Sequence, residues 1–226
     1  MADAVSSCPV CGSGGMTQLY DSGTASSLSS LCQVLPGAKT VSYCAECGHL
    51  AGNGVGDAES FYETDYRILI DDEEEDQIYE AKGNHIVTRT DHQMAVLFDK
   101  IAIEPGSSVL DYGCAKAAMA RRIAEARPGV DMHLFDVSRM YQPFWDKFVP
   151  TDRQAIHETP ADWNGHFDLV TSFFAFEHIP EPDKAMAHVA RLLKPGGQFY
   201  MIVPDVMGNA ADFIVIDHVN HFTRTS

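Results

Sequence analysis

The sequence lacks the features that send a chain into or across a membrane. No stretch of its 226 residues approaches ~20 uninterrupted apolar residues, the length that a membrane-spanning helix needs. The N-terminus, MADAVSSCPVCG, has neither a basic start nor an apolar run, which argues against a secretory signal. These absences predict a cytoplasmic protein, long enough for one substantial domain and a small appendage.

Positive charge is also scarce. Lys and Arg total 16 against 32 Asp and Glu, for a formal net charge of -16. Such a field repels a phosphate backbone, which disfavours nucleic acid as a partner. Part of the negative charge lies in DDEEED, residues 71–76, which we expect to be a solvated loop.

Cysteine is sparse, with 6 residues, but four of them form a pattern. CPVCG (8–12) and CAECG (44–48) each place two cysteines on a turn, followed by a glycine that lets backbone amides point at sulfur. Four thiolates make the tetrahedral set of a structural zinc ion, with no open position. The sequence therefore predicts a zinc ribbon over 5–55, with unmetallated cysteines or iron as alternatives. Its ligands would be Cys8, Cys11, Cys44 and Cys47.

A connecting segment is predicted at 56–87, before a second domain at 88–226. It begins close to a glycine-rich stretch, yet it is too aromatic for disorder, with Phe61, Tyr62, Tyr66 and Tyr79. We expect a loop and a short helix that pack on the second domain; covering an active site is the alternative.

From about residue 88 the pattern alternates between helix and strand. Apolar residues from Met94 to Ile101 have helical spacing, and Thr90 or Asp91 can cap that helix. Apolar segments joined by helices predict an α/β domain with a doubly wound, mainly parallel sheet. The predicted strands are 107–113, 132–138, 153–158, 167–176 and 198–205, with helices at 117–126 and at 181–197, the latter stopped by Gly196.

In such sheets, ligands bind beyond the carboxyl ends of the strands. Asp111 and Gly113 follow the first predicted strand, and Asp136 follows the second. An acid at that position can accept hydrogen bonds from both hydroxyls of a ribose. The alternative is that Asp136 only caps a strand end.

Four motifs resemble, in order, the class I S-adenosylmethionine-dependent methyltransferases over about 105–223: VLDYGCAKA, Asp136, FDLVTSFFAFEHIPEP and LLKPGGQFYMIVPD. The resemblance implies a Rossmann-like core and S-adenosylmethionine as cofactor. It also implies cofactor contacts from Asp111, Tyr112, Gly113, Ala115, Asp136, Val137 and Phe173. Members of the class continue with a helix and a strand hairpin where this chain stops, at HFTRTS. We therefore expect a C-terminally incomplete domain, or a sheet edge covered in a homo-oligomer.

The cofactor loop departs from the family pattern D-x-G-x-G-x-G. Asp111 and Gly113 match it, while Ala115 and Ala117 replace the later glycines. Ala117, on the helix side, should cost little and favour the helix by up to ~1 kcal/mol. Ala115 should cost on the order of 1 kcal/mol or more if its φ must be positive. We expect cofactor binding to be retained.

Two histidine-containing motifs are candidates for removing a proton from the methyl acceptor. FEHIPEP follows the fourth predicted strand, and IDHVNHFT lies beyond the fifth. With the zinc ribbon, the second motif resembles sugar C-methyltransferases, in which an acid–His pair is the base. The resemblance implies catalytic residues His218, Asp217 and His178 and a small-molecule substrate such as a nucleotide-linked sugar.

Alternatives stay open at this point. His178 is equally well interpreted as a structural residue after the end of a strand. His221 is interpreted as a packing or surface residue. The chain as a whole is also compatible with a non-catalytic methyltransferase-like binding module in which Ala115 closes the pocket. An RNA-base methyltransferase with a zinc ribbon is a third reading, which the charge disfavours.

Overall fold

The structure of the protein is a computed structural model that describes residues 5–56, 58–66 and 76–226. Residues 71–75 of the predicted acidic loop lie outside these ranges. The described residues form two compact units. The first unit comprises those within Met1–Phe61, Phe174–His188 and Ile202–Ser226; the second comprises those within Tyr62–Phe173 and Val189–Met201.

Strands and α-helices are numbered in chain order. The strands are β1 Met16–Asp21, β2 Ser26–Leu28, β3 Val34–Pro36, β4 Thr40–Cys44, β5 Leu50–Gly52, β6 Ile78–Lys82, β7 His85–Thr88, β8 Ser108–Tyr112, β9 Asp131–Asp136, β10 Gln154–Ile156, β11 Phe167–Phe173, β12 Leu193–Ile202 and β13 Asn220–His221. The α-helices are α1 Ala58–Ser60, α2 Arg89–Lys100, α3 Ala118–Ala126, α4 Gln142–Trp145 and α5 Pro182–Leu192.

A five-stranded sheet with the order β10-β9-β8-β11-β12 forms the centre of the second unit. The pairs β8–β9, β9–β10 and β8–β11 are parallel. All five residues of β8 are buried, as a strand covered on both faces requires. Val109, Leu134 and Leu169 of the sheet share a core with Leu97 and Ile123 of the helices. The predicted α/β fold with a parallel sheet is thereby confirmed.

Two helix boundaries differ from prediction. Thr88 caps α2, because its Oγ1 accepts a hydrogen bond from Asp91 N at 3.2 Å; the predicted cap Thr90 is buried. After α5 the chain enters β12 at Leu193, so Gly196 lies within a strand and does not stop the helix. Here the backbone runs close to its neighbours, since a Cβ on Gly197 would lie 2.8 Å from the carbonyl oxygen of Phe167.

The segment predicted as a loop and a short helix also contains a hairpin. The helix is present as α1 and the following π-helical turn Phe61–Asp65. Strands β6 and β7 then pair antiparallel across the two-residue connection Gly83-Asn84, with Lys82 opposite His85. Gly83 has φ 60°, which suits the tight turn of such a hairpin.

The first unit is built on a second sheet, of order β1-β4-β5-β13, which joins strands from both ends of the sequence. Strand β13 pairs antiparallel with β5, with Asn220 opposite Ala51 and His221 opposite Leu50. Val41, Leu50 and Val206 form a small core in this unit. Among the described residues, no helix is long and apolar enough to cross a membrane.

Candidate active site and metal centre

The predicted cofactor loop follows β8 in the second unit and begins at a buried acid. Asp111 is 2% exposed, and its Oδ1 accepts a hydrogen bond of 3.0 Å from Thr171 Oγ1 on the adjacent β11. Burial raises the pKa of Asp111 to about 7, and the nearby charge of Asp136 adds to the rise. The hydrogen bond of this buried carboxyl to Thr171 therefore links the end of β8 to β11.

Both alanines of the loop have the left-handed backbone conformation that glycine favours. Ala115 has φ 46° and Ala117 has φ 62°, beside Gly113 at 75°. Ala117 is the N-cap residue of α3 and lies outside the helix, so the expected gain in helix propensity does not apply. Each alanine costs on the order of 1–2 kcal/mol in this conformation. The loop thus has left-handed backbone conformations at the two positions where the family pattern has its later glycines.

Hydrogen bonds from two directions hold Ala115 in place. Its N–H donates to Asp136 Oδ2 at 2.8 Å, and its carbonyl oxygen accepts from Trp145 Nε1 at 2.7 Å. The second oxygen of Asp136 accepts from Ser138 N at 2.9 Å. Burial raises the pKa of Asp136, and these amide hydrogen bonds oppose the rise. Asp136 at the end of β9 therefore orders the loop after β8.

The other residues predicted to contact the cofactor differ in exposure. Tyr112 is buried at the end of β8. Val137 is 49% exposed directly after Asp136, which leaves an apolar side chain available to a ligand. Phe173, at the end of β11, is partly buried, and its ring lies 6.1 Å from that of Tyr200.

The four predicted zinc ligands converge in the first unit. Their sulfur atoms lie within 4.8 Å of one another. Cys8 Sγ is 3.6 Å from Cys47 Sγ, and Cys11 Sγ is 3.6 Å from Cys44 Sγ. These separations fit the edge of about 3.8 Å of a tetrahedron with zinc–sulfur bonds of about 2.3 Å. The donor set therefore suits a structural zinc ion.

The two cysteine turns have the geometry expected from their glycines. Gly12 and Gly48 have φ 73° and 77°, and their N–H groups bond to the carbonyl oxygens of Cys8 and Cys44. Hydrogen bonds from backbone amides, that of Cys47 foremost, lower the pKa of Cys44 to about 7. Burial instead raises the pKa of Cys8 and raises that of Cys47 to about 12, so the amide hydrogen bonds favour the thiolate form at Cys44 only.

A buried acid, Asp212, joins two histidines elsewhere in the first unit. Its Oδ1 is 2.6 Å from His218 Nδ1, and its Oδ2 is 2.9 Å from His221 Nδ1. Burial disfavours the charged forms, but the hydrogen bonds of the two imidazoles hold the pKa of Asp212 well below its usual range. In His218 the hydrogen bond and charge of Asp212 likewise outweigh burial and raise the pKa. His221 is 1% exposed and is not a surface residue.

Asp217 does not pair with His218, contrary to the prediction. Its two carboxylate oxygens accept from Ser30 N at 2.7 Å and from Ser30 Oγ at 2.6 Å. The carbonyl oxygen of His218 itself is bonded by the buried Lys39 Nζ at 2.6 Å. Burial lowers the pKa of Lys39 to about 7, against the charges of Asp217 and Asp212. The acid partner of His218 is therefore Asp212.

His178 lies beside His218, with ring centroids 4.7 Å apart and planes at 81°. Its Nδ1 is 2.9 Å from the backbone carbonyl oxygen of Asp217; since a carbonyl only accepts, Nδ1 donates. Burial and the neighbouring His218 lower the pKa of His178 to about 4, so its ring is neutral at pH 7. The structure thus brings together His178 and His218, which lie in two separate sequence motifs.

Comparison with known proteins shows the family to which the chain belongs. A family model described as a methyltransferase domain matches residues 86–226. The chain belongs to the class I S-adenosylmethionine-dependent methyltransferases. The cofactor that this methyltransferase family implies is compatible with the loop, because the carboxylate of Asp136 offers about four lone-pair positions, more than the backbone amides of Ala115, Val137 and Ser138 use.

Individual relatives align with part of the chain. Two proteins named ubiquinone biosynthesis O-methyltransferase are each 31% identical to it. That of Xanthomonas oryzae aligns over 101 residues, 42% of either chain, and that of Aromatoleum aromaticum over 107 residues, 45% of this chain and 46% of that protein. The aligned region spans less than half the length of these relatives. The solved structure of a candidate methyltransferase from Bacillus halodurans is 21% identical, with a TM-score of 0.48 over 59% of this chain and 64% of that one.

Proposed function

We propose that this methyltransferase transfers a methyl group from S-adenosylmethionine to a small-molecule acceptor, with His218 as the general base. The hydrogen bond of 2.6 Å between His218 Nδ1 and Asp212 Oδ1 carries the proposal. Since the carboxylate accepts, Nδ1 holds the proton and Nε2 holds the lone pair that takes up a proton. Asp212 also favours the imidazolium that forms, because its negative charge lies beside the ring.

The cofactor would be held at the loop after β8. When bound, S-adenosylmethionine supplies a methyl group on a positively charged sulfur. A remaining lone-pair position of Asp136 would accept a hydrogen bond from the ribose, and Gly113 permits close approach of the backbone. The proposed contacts are Asp111, Tyr112, Gly113, Ala115, Asp136, Val137 and Phe173.

A nucleotide-linked sugar or a related metabolite is the proposed acceptor. A carbon next to a ketone becomes a nucleophile only when a base removes its proton, which is the task assigned to His218. A hydroxyl acceptor is the second candidate, and the names of the ubiquinone biosynthesis relatives favour it. His178 and Asp217 would position the base, since the Asp217 carbonyl holds His178 against His218.

The four cysteines are proposed to hold structural Zn²⁺, which would stabilise the first unit. We further propose the functional division given by the sequence: a ribbon over 5–55, a connecting segment over 56–87 and the methyltransferase domain over 88–226.

The base assignment is tested with His218→Ala and, as a control, His85→Ala, which changes an exposed histidine of the β6–β7 hairpin. Release of S-adenosylhomocysteine is measured with panels of nucleotide-linked ketosugars and of phenols. Calorimetry measures the binding of added S-adenosylhomocysteine. We expect His218→Ala to lose turnover by 10²-fold or more, of the order found for general bases, and to keep product binding. Full turnover in that variant would refute the base assignment.

Asp136→Ala tests the cofactor site and should abolish the heat of S-adenosylhomocysteine binding. Absence of heat in the unsubstituted protein would favour the non-catalytic reading instead. Binding of RNA that weakens with salt would favour the RNA-base reading.

A further inference from the structure

Three side chains of the first unit form a cluster with the composition of a metal site. One carboxylate oxygen of Glu177 and one ring nitrogen each of His178 and His218 lie within 4.8 Å of one another. Glu177 is 1% exposed and His218 is 9% exposed. Bonds of about 2.0–2.2 Å to a shared ion would draw these atoms together by small side-chain movements.

Both histidines have the tautomer that a metal ligand needs. Nδ1 of His218 donates to the Asp212 carboxylate at 2.6 Å, and Nδ1 of His178 donates to the Asp217 carbonyl at 2.9 Å. The lone pair of each neutral ring therefore lies on Nε2. Metal-binding histidines almost always donate their other N–H to a carboxylate or a backbone carbonyl, which orients the ring and increases its basicity. Here each imidazole has one such partner.

The charges around the cluster favour a cation. Three acids, Glu177, Asp212 and Asp217, lie in this part of the first unit, and each is at most 5% exposed. One basic side chain, Lys39, interacts with the charges of Asp217 and Asp212 and bonds to the carbonyl oxygen of His218. Because buried charge is costly without compensation, a positive ion among these acids would lower that cost.

We propose that Glu177, His178 and His218 form a second metal site, separate from the four cysteines, for a divalent transition ion such as Zn²⁺ or Fe²⁺. Two imidazoles and one carboxylate suit such ions, whereas Mg²⁺ and Ca²⁺ prefer oxygen ligands alone. Three protein ligands leave a position open for an oxygen atom of a small molecule. The inference goes beyond the proposed function. Since one lone pair cannot bind an ion and accept a proton at once, a bound ion would suspend the base role of His218.

The test uses the metal-stripped full chain titrated with Co²⁺. Thiolate-bound Co²⁺ has a sulfur-to-metal charge-transfer band that Co²⁺ on nitrogen and oxygen lacks, so the two sites are distinguished by absorption. We expect two Co²⁺ per chain, of which one lacks this band. Glu177→Gln and His178→Ala should each bind one ion and keep the band. Binding of a single ion by the unsubstituted protein would overturn the proposal.

Matched variants identify where the second ion binds. Asp131, His133 and His166 of the second unit form another group of potential ligands, so His166→Ala is the control and should still bind two ions. Loss of the second ion in that variant, or its retention in Glu177→Gln and His178→Ala, would contradict the assignment. Asp212→Asn should keep the site but weaken its affinity about 10–100-fold, as loss of a histidine's carboxylate partner does.

A measurement on the unsubstituted protein covers the case in which a variant fails to fold. With ¹⁵N-labelled histidine, a second equivalent of Zn²⁺ should shift the Nε2 resonances of two of the 10 histidines. Absence of any such shift would refute the site.

Discussion

The cofactor loop and the histidine cluster, which comprises Glu177, His178, Asp212, His218 and His221, are held together by different means. In the loop, backbone groups make most of the contacts, and the partners of Ala115 lie 21 and 30 residues away. In the cluster, side chains bond to side chains, as Asp212 does to His218 and His221. Around the cluster, Asp217 bonds to Ser30, 187 residues away, and Lys39 bonds to the His218 carbonyl, 179 residues away.

The difference indicates how each region responds to substitution. A loop held by hydrogen bonds of its backbone keeps its conformation when side chains change. Such a change costs backbone conformational energy, as at Ala115 and Ala117. A cluster of buried side chains loses a partner with every substitution and leaves another polar group unsatisfied. We therefore expect larger effects from single changes in the first unit than in the loop.

The largest effect is expected from loss of the thiolate set. Cys44→Ser should destroy the proposed zinc site, whose ion is worth about 10–16 kcal/mol in zinc-finger peptides at pH 7. The N-terminal ribbon should then become sensitive to protease, as it should after chelation. Cys32→Ser, at an exposed cysteine outside the set, is the control. Unchanged protease resistance after Cys44→Ser or chelation would contradict the prediction.

The next largest effect is expected at Asp212. Asp212→Asn removes the charge that raises the pKa of His218, so turnover should fall on the order of 10²-fold. Because the base acts in its unprotonated form, kcat/KM rises as pH passes through the pKa of His218. In the variant, half of the maximal kcat/KM should be reached at a lower pH. A pH profile unchanged from that of the unsubstituted protein would show that Asp212 does not act through His218.

Asp217→Asn should affect stability more than the pH profile. It weakens the bonds to Ser30, and loss of a buried hydrogen-bond partner costs about 1–3 kcal/mol. Ser30→Ala removes one of the same bonds and should destabilise the protein less. Thermal unfolding measures both variants. A shift of the pH profile in Asp217→Asn as large as that in Asp212→Asn would restore Asp217 as the partner of His218.

The smallest effect is expected in the loop. Ala115→Gly and Ala117→Gly relieve the left-handed strain, offset by the chain entropy of glycine, so each should stabilise the protein by about 0.5–1 kcal/mol. Ala124→Gly, within α3, is the matched control and should destabilise by about 1 kcal/mol. Thermal unfolding and the affinity for S-adenosylhomocysteine provide the measurements. Destabilisation in all three variants would show that the loop is not strained.

Much of the fold could be predicted because its determinants are local. Runs of apolar residues marked β8, β9 and β11, and the glycines after each cysteine pair marked the two turns. The β6–β7 hairpin was missed although Gly83-Asn84 between two short segments is a hairpin signal. Strand β12 begins at Leu193, before the predicted start at residue 198. The sequence does not indicate this, since Lys-Pro-Gly-Gly is more typical of a turn.

The candidate site could be predicted only in part. His178 and His218 were named as candidates because they lie in motifs that resemble those of the family. Asp212, Ser30 and Lys39 were missed, since their sequence positions carry no spacing rule that connects them with His218. Adjacency in sequence also misled: Asp217 precedes His218, yet its carboxylate bonds to Ser30.

The pairing of β13 with β5 has a consequence for synthesis on the ribosome. His49 and its partner Asn220 are separated by 171 positions, so the edge of β5 has no β13 neighbour until residue 220 has been translated. At about 5–20 residues per second, that interval lasts roughly ten to thirty seconds. A nascent chain carries an open strand edge throughout this time, and such an edge is a template for pairing with another chain.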